Sequence, residues 1–155
     1  MVLVNPQIPP NTGNIGRICV NSGATLHLVK PLGFDISEKR IKRAGLDYWN
    51  RLKLKVWESL EEFLESVEME RCHLATTKGI KYHFQTRYRP GDYLLFGRED
   101  GGLPQFLIEN YREQTVQIPM TPEGRSLNLA VSVGIILYEA VRQNFGQWSR
   151  EYGIG

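Results

Sequence analysis

Short apolar runs alternate along this chain with amphipathic stretches, and that alternation restricts it to one broad architecture. Strand-like runs lie at 2–5, 25–29, 52–57, 72–76, 93–97 and 115–118. Between them, Asn11 or Thr12 caps a helix that Gly23 stops, and Ser59 caps an acidic helix over 60–69. A short basic helix is expected over 38–44, and Pro104 opens one that ends near Asn110. A long helix over 127–145 is closed by Gly146. The pattern predicts an α/β fold, a mainly parallel sheet with helices on both faces. With 155 residues and no linker, repeat or low-complexity tract, residues 1–155 read as a single domain.

The last helix carries a message of its own. From Leu129 to Tyr138 only Ser132 and Gly134 interrupt the apolar residues. A helix that is apolar all round cannot rest on a sheet with its other side in water, so a homodimer interface is expected there.

Several classes are excluded early. No apolar run approaches the roughly 18 residues of a membrane span. The first residues, Met1-Val2-Leu3-Val4-Asn5-Pro6, lack the basic segment and apolar core of a signal peptide. Cys19 and Cys72 are too few for a disulfide framework and read as reduced, partly buried thiols. The cytoplasm is the expected compartment. His27, His73 and His83 stand apart from any ligand at metal spacing, so no metal is expected.

The net charge of +2 is small, but its distribution is uneven. Four cations fall within 39–43, and Arg17, Lys78, Lys81, Arg87, Arg89, Arg98 and Arg125 lie near Gly/Pro-rich segments. Aromatic residues are interleaved with them: Tyr48, Trp49, Tyr82, Phe84 and Tyr88. The 39–43 run alone reads equally as a solvated face. Cations gathered around one site favour a polyanionic partner, with the aromatic rings available for base stacking.

Three polar segments rich in Gly and Pro follow apolar runs: Pro9-Pro10-Asn11-Thr12-Gly13-Asn14-Ile15-Gly16-Arg17, Leu95-Phe96-Gly97-Arg98-Glu99-Asp100-Gly101-Gly102-Leu103-Pro104, and Ile118-Pro119-Met120 through Ser126-Leu127-Asn128-Leu129. In an open α/β sheet such segments lie at the carboxyl ends of strands, where ligands bind. One composite site is expected from the three. Neither G-x-G-x-x-G after the first strand nor G-x-x-x-x-G-K-[ST] is present. No Ser–His–Asp arrangement is legible either.

Gly13 and Gly16 sit in the opening turns of a helix, where each costs about 1 kcal/mol relative to Ala. They leave backbone bare around Arg17, either for a large ligand such as a nucleic-acid backbone or as part of an ordinary helix with a surface arginine. Gly97, Gly101 and Gly102 would let main-chain groups reach a ligand. Ser126 and Asn128 begin the long helix, as caps or as holders of a carboxylate or phosphate.

Together, Asn11-x-Gly13-Asn14-Ile15-x-Arg17, Phe96-Gly97-x-Glu99-x-x-Gly102-Leu103-Pro104 and Ile118-Pro119-Met120…Ser126-Leu127-Asn128-Leu129 resemble, in order and spacing, the three motifs of SPOUT-class RNA ribose 2′-O-methyltransferases. Within that class, Ile8-Pro9-Pro10-Asn11-Thr12-Gly13-Asn14, Pro31-Leu32-Gly33-Phe34, Lys39-Arg40…Arg43-Ala44-Gly45-Leu46-Asp47-Tyr48 and Thr76-Thr77-Lys78-Gly79 resemble the tRNA wobble-nucleotide (cytidine/uridine) subfamily, TrmL/YibK. One departure stands out: Ala130-Val131 follow Leu129 where that subfamily continues Ser-Asn, a version nearer the broader class.

The resemblance implies S-adenosyl-L-methionine as cofactor, S-adenosyl-L-homocysteine as product, tRNA rather than DNA as partner, a C-terminal trefoil knot, and a dimer with its active site at the interface. It implies cofactor contacts at Ala75, Gly97, Ile118, Met120, Ser126 and Leu127, and catalytic roles for Arg17, Ser126 and Asn128. The reaction is in-line attack of a ribose 2′-hydroxyl on a sulfonium methyl. A guanidinium is a poor base, so Arg17 is expected to act electrostatically on phosphate and forming alkoxide. Ser126 and Asn128 would orient the ribose, while Glu99 would hold the loop or its positive neighbours. The alternatives are another tRNA or rRNA ribose target and a non-catalytic RNA-binding module on the same scaffold.

Overall fold

The computed structural model describes residues 1–37, 39 and 47–155. The basic helix expected over 38–44 lies outside the described residues except for Lys39, as does most of the 39–43 cation run. Seven strands form one sheet: β1 Val2–Val4, β2 Leu26–Val29, β3 Leu54–Trp57, β4 Cys72–Ala75, β5 Lys81–Tyr82, β6 Tyr93–Phe96 and β7 Thr115–Gln117. Their order is β3-β2-β1-β6-β4-β7-β5, and every pairing between them is parallel. Among the described residues, five α-helices of more than one residue accompany them: α1 Pro9–Ser22, α2 Leu60–Glu65, α3 Gln105–Asn110, α4 Leu129–Gln143 and α5 Phe145–Glu151.

Successive strand side chains face opposite ways, and here both faces are buried. Leu3, Leu28 and Phe96 pack with Ile15 and Cys19 of α1 and with Val133, Ile136 and Leu137 of α4. Val2, Val4, Val29 and Leu95 pack on the other face with Phe63 of α2 and with Leu107 and Ile108 of α3. The expected sheet between two helical layers is therefore present. Both cysteines are buried free thiols, and burial pushes Cys19 up to about 11 and Cys72 up to about 12.

Several element boundaries differ from expectation. Neither Asn11 nor Thr12 caps α1, which begins at Pro9 with no side-chain cap. Two consecutive prolines preset the φ of a first turn whose N–H groups have no intrahelical partner anyway. Gly23 ends the helix with φ +80°. Pro104 stands at the cap of α3, one residue before its first turn. Ser59 does cap α2, accepting the Glu62 N–H at 3.1 Å, but the helix stops at Glu65.

The long C-terminal helix breaks at Asn144, whose side-chain amide donates to Ala140 O and Tyr88 O, each at 2.9 Å. Gly146, expected to close the helix, lies inside α5. Among the described residues, no helix is long and apolar enough to cross a membrane.

Candidate active site

The strand order brings distant loops together. β1, β6, β4 and β7 are consecutive in the sheet, so the segments leaving their carboxyl ends are neighbours. These are 5–8 leading into α1, 97–104, 76–80, and 118–128 leading into α4.

Glu99 ties the second loop to the first. Its carboxylate accepts the backbone N–H of Gln7 and of Ile8, each at 2.8 Å, and the Asn11 side-chain amide at 3.2 Å. It thus sits at the amino end of α1, where the helix dipole favours an anion. Burial pushes the Glu99 carboxyl up, but the bonds from Gln7, Ile8 and Asn11 outweigh it and hold it below the usual carboxylate range. The expectation that Glu99 holds the loop stands, and the groups it holds are amides of the first loop rather than positive neighbours. Arg98 is engaged instead by Asp100, at 2.6 Å.

Asn11 extends the link to the third loop. Only 7% exposed, it accepts the Asn128 side-chain amide at 3.0 Å. Asn128 is the cap of α4, its Oδ1 accepting the N–H of Ala130 at 2.8 Å and of Val131 at 3.3 Å. Capping uses only backbone at 130 and 131, so the Ala130-Val131 departure leaves it intact. Ser126 lies two residues before the cap, exposed, and does not cap the helix.

Gly97 is buried for a reason other than ligand access. A Cβ there would lie 1.9 Å from Gly102 C and 2.0 Å from Leu103 N, so the loop folds back on its own first residue. Gly102, with φ +69°, makes that turn. The glycines around Arg17 are likewise covered by the chain itself. A Cβ on Gly16 would come 2.9 Å from the Trp49 ring, and the Tyr48 hydroxyl donates to Gly13 O. Of the two readings of that backbone, bare for a large ligand or part of an ordinary helix, the first meets the short 3-10 turn Asp47–Arg51 already seated there.

Arg17 itself is exposed, its guanidinium 5.8 Å from the Tyr48 ring centroid. No hydrogen bond among the described residues joins Arg17 or Ser126 to the Glu99–Asn11–Asn128 chain. Of the aromatics read as base-stacking candidates, Tyr82 and Phe84 are exposed and stacked on each other. Tyr88 is excluded: it is 2% exposed, with its hydroxyl donated to His83 O at 2.6 Å.

The remaining loop residues offer walls for an amphipathic ligand. Ala75 ends β4 in register with Val116, and Ile118 follows one residue after β7. Both are half-buried, while Met120 and Leu127 expose apolar side chains farther along. Such a set, with loop backbone as its polar component, fits a nucleoside better than a metal. Among the described residues no cluster of three or more His, Cys, Asp or Glu could hold a metal ion. A cavity of about 390 Å³ opens at the opposite edge, between Thr25, Tyr88 and Trp148, and none of these loops lines it.

The model of the SpoU rRNA Methylase family matches residues 1–138. That span contains all three loops and the helix α4 up to Tyr138. The chain belongs to the SpoU rRNA Methylase family.

Among curated relatives of this SpoU chain, the tRNA (cytidine(34)-2′-O)-methyltransferase of Aeromonas hydrophila is 50% identical over 92% of each chain. A solved structure described as giving structural insights into the 2-OH methylation of C/U34 on tRNA is 44% identical, with TM-score 0.86, over 94% of this chain and 95% of that one. The SpoU methyltransferase AviRb of Streptomyces viridochromogenes, solved in complex with AdoMet, is 28% identical with TM-score 0.80, over 93% of this chain and 57% of that one.

Reasoning from sequence misses two features of this site. Asn11, expected to cap a helix, joins two loops instead, and Tyr48 reads in the sequence only as a possible stacking surface. The motif Asn11-x-Gly13 and the Asp47-Tyr48 pair are visible there, but their partners lie 88 and 35 positions away.

Proposed function

We propose that this chain is an S-adenosylmethionine-dependent tRNA methyltransferase acting on the ribose 2′-hydroxyl of the wobble nucleotide, a cytidine or uridine. The observation that carries the reading is the bond chain Glu99–Asn11–Asn128, which ties the three family loops together, with an exposed arginine on the same helix as Asn11. The choice of nucleotide is supported by relatives named for position 34, at 43–50% identity.

When bound, S-adenosylmethionine supplies an electrophilic methyl. Ala75, Gly97, Ile118, Met120, Ser126 and Leu127 would hold it. Arg17 holds the substrate phosphate and stabilises negative charge developing on the 2′-oxygen. The hydroxyl proton becomes strongly acidic as the methyl bonds to its oxygen, and leaves then to that phosphate or to water. Ser126, exposed and outside the cap, orients the ribose. Asn128 keeps one Nδ2 hydrogen free for the ribose after serving the cap and Asn11. Holding the reactants in line supplies much of the remaining rate.

The working unit is a cytoplasmic homodimer with the C-terminal segment threaded as a trefoil knot. Val131 and Tyr138, seven residues apart on α4, are 50% and 40% exposed, which supports an apolar interface there. A shared site would bring Arg17 of one protomer to the loops of its partner.

The test is methyl transfer from labelled S-adenosylmethionine to tRNA, followed by mass spectrometry of the nucleosides. A 2′-deoxy sugar at position 34 should abolish incorporation. Label on a base, or at another nucleotide, would overturn the reading.

A further inference from the structure

The geometry assigns to Tyr48 the role of positioning residue for Arg17: its ring lies under the guanidinium at cation–π distance while its hydroxyl anchors the ring to the opening turns of α1. The assignment rests on the reading of Arg17 as the group that acts on the substrate.

Three contacts converge on this arrangement. The Tyr48 hydroxyl donates to Gly13 O, and the Arg17 guanidinium carbon lies 5.8 Å from the centre of the same ring. In an α-helix the amide of residue i+4 points at the carbonyl of residue i, so Gly13 and Arg17 share one turn of α1. Next to Tyr48, the Trp49 ring lies against Gly16, where a Cβ would come within 2.9 Å. The whole turn Asp47–Arg51 is thereby seated on the helix that carries Arg17. Trp49 and Leu52 also pack against the main core, so the seat is rigid.

A cation–π contact differs from an ion pair in what it consumes. Arg98 is tied through its N–H edge to Asp100, which uses both donors and charge. Tyr48 meets Arg17 through its ring, which accepts no N–H bond from it, and among the described residues no carboxylate pairs with Arg17, so donors and charge remain for phosphate. An exposed arginine otherwise spreads over many rotamers, and binding it in one costs entropy. Burial raises the Tyr48 hydroxyl above its ordinary value although Arg17 opposes it, so the hydroxyl is a donor at neutral pH. Acid–base exchange with substrate is not its role.

The test is a double-mutant cycle read in single-turnover methyl transfer. Arg17→Ala alone should lower the rate about 10²–10³-fold, the scale for removing one charge-stabilising donor. Tyr48→Leu alone should lower the maximal rate about 2–5-fold with little change in S-adenosylhomocysteine affinity, and should have no effect on that rate when Arg17 is already alanine. Tyr48→Phe, which keeps the ring but loses its anchor to Gly13, should recover part of what Tyr48→Leu loses. Equal losses from Tyr48→Leu in both backgrounds would overturn the assignment while leaving Arg17 in place. Full activity of Arg17→Ala would instead overturn the reading of Arg17.

Should Tyr48→Leu fail to fold, nuclear magnetic resonance of the unmodified protein decides the matter. Its Arg17 side-chain resonances, identified by their loss in Arg17→Ala, should be shifted upfield by the ring. Random-coil positions for them would end the proposal.

Discussion

Asn128 and Asn11 lie 117 positions apart in the chain, yet their side chains share a hydrogen bond of 3.0 Å. The same Asn128 starts helix α4 and the same Asn11 reaches Glu99. Helix initiation and site assembly therefore depend on one side chain, and substitution can separate the two.

Asn128→Ala should lose both functions, lowering stability by about 1 kcal/mol for the cap alone. Asn128→Asp should keep the cap, which a carboxylate serves well. It would place Asn11 between two carboxylates, so that one of them must face the Asn11 oxygen. Thermal unfolding near that of the unmodified protein, together with a clear loss of methyl transfer, is the expected result for Asn128→Asp. Full transfer activity would sever Asn11 from the mechanism.

Glu99 predicts a pH effect of definite sign. Its carboxyl is held below the usual range in the folded protein, so its contribution is complete above the ordinary carboxylate range. The contribution is lost as pH falls through the folded value. Asp92 behaves likewise: burial raises its carboxyl, and bonds from His73, Arg89 and Arg71 bring it below its ordinary value. The informative quantity is therefore the stability difference between the unmodified protein and Glu99→Gln. It should be largest at neutral pH and shrink toward strong acid in chemical denaturation. A difference independent of pH would deny the ionised carboxylate its place.

Two glycines in the same loop should respond differently to alanine. At Gly97 the added Cβ meets backbone at 1.9 Å, which the loop can relieve only by opening. Gly97→Ala should cost about 1–3 kcal/mol or more and weaken S-adenosylhomocysteine binding. At Gly101 the nearest neighbour is Arg98 Cδ at 3.4 Å, an ordinary contact. Gly101→Ala should leave stability and calorimetric affinity near those of the unmodified protein. Similar losses at both positions would refute the folded-back loop.

Tyr138→Glu should separate protomers without unfolding them, because Tyr138 is 40% exposed on α4. Sedimentation should then report a folded monomer with little activity. A monomer for the unmodified chain would remove the interface.

The strands were legible to within a residue or two because parallel strands covered on both faces read as continuous apolar runs. Tyr93–Phe96 is such a run. Lys81–Tyr82 escaped because a two-residue edge strand with a cation and an exposed ring carries no run at all. The break at Asn144 was invisible because its cause is Tyr88 O, far away in sequence. In the site, the three loops were legible as Gly/Pro-rich punctuation after strands. Which side chain meets which was not, since Glu99 and Asn11 are paired by sheet order alone.

That order also bears on how the chain emerges during synthesis. β6 lies between β1 and β4 although it is made after both. A ribosome that has released only the first 75 residues has produced the flanks of a gap, with no strand to bridge them. Glu99 arrives just behind the bridging strand and immediately has the amides of residues 7 and 8 to engage. Completion of the central sheet and anchoring of the first loop thus become one event in the life of the nascent chain. Half-finished copies lack that clasp.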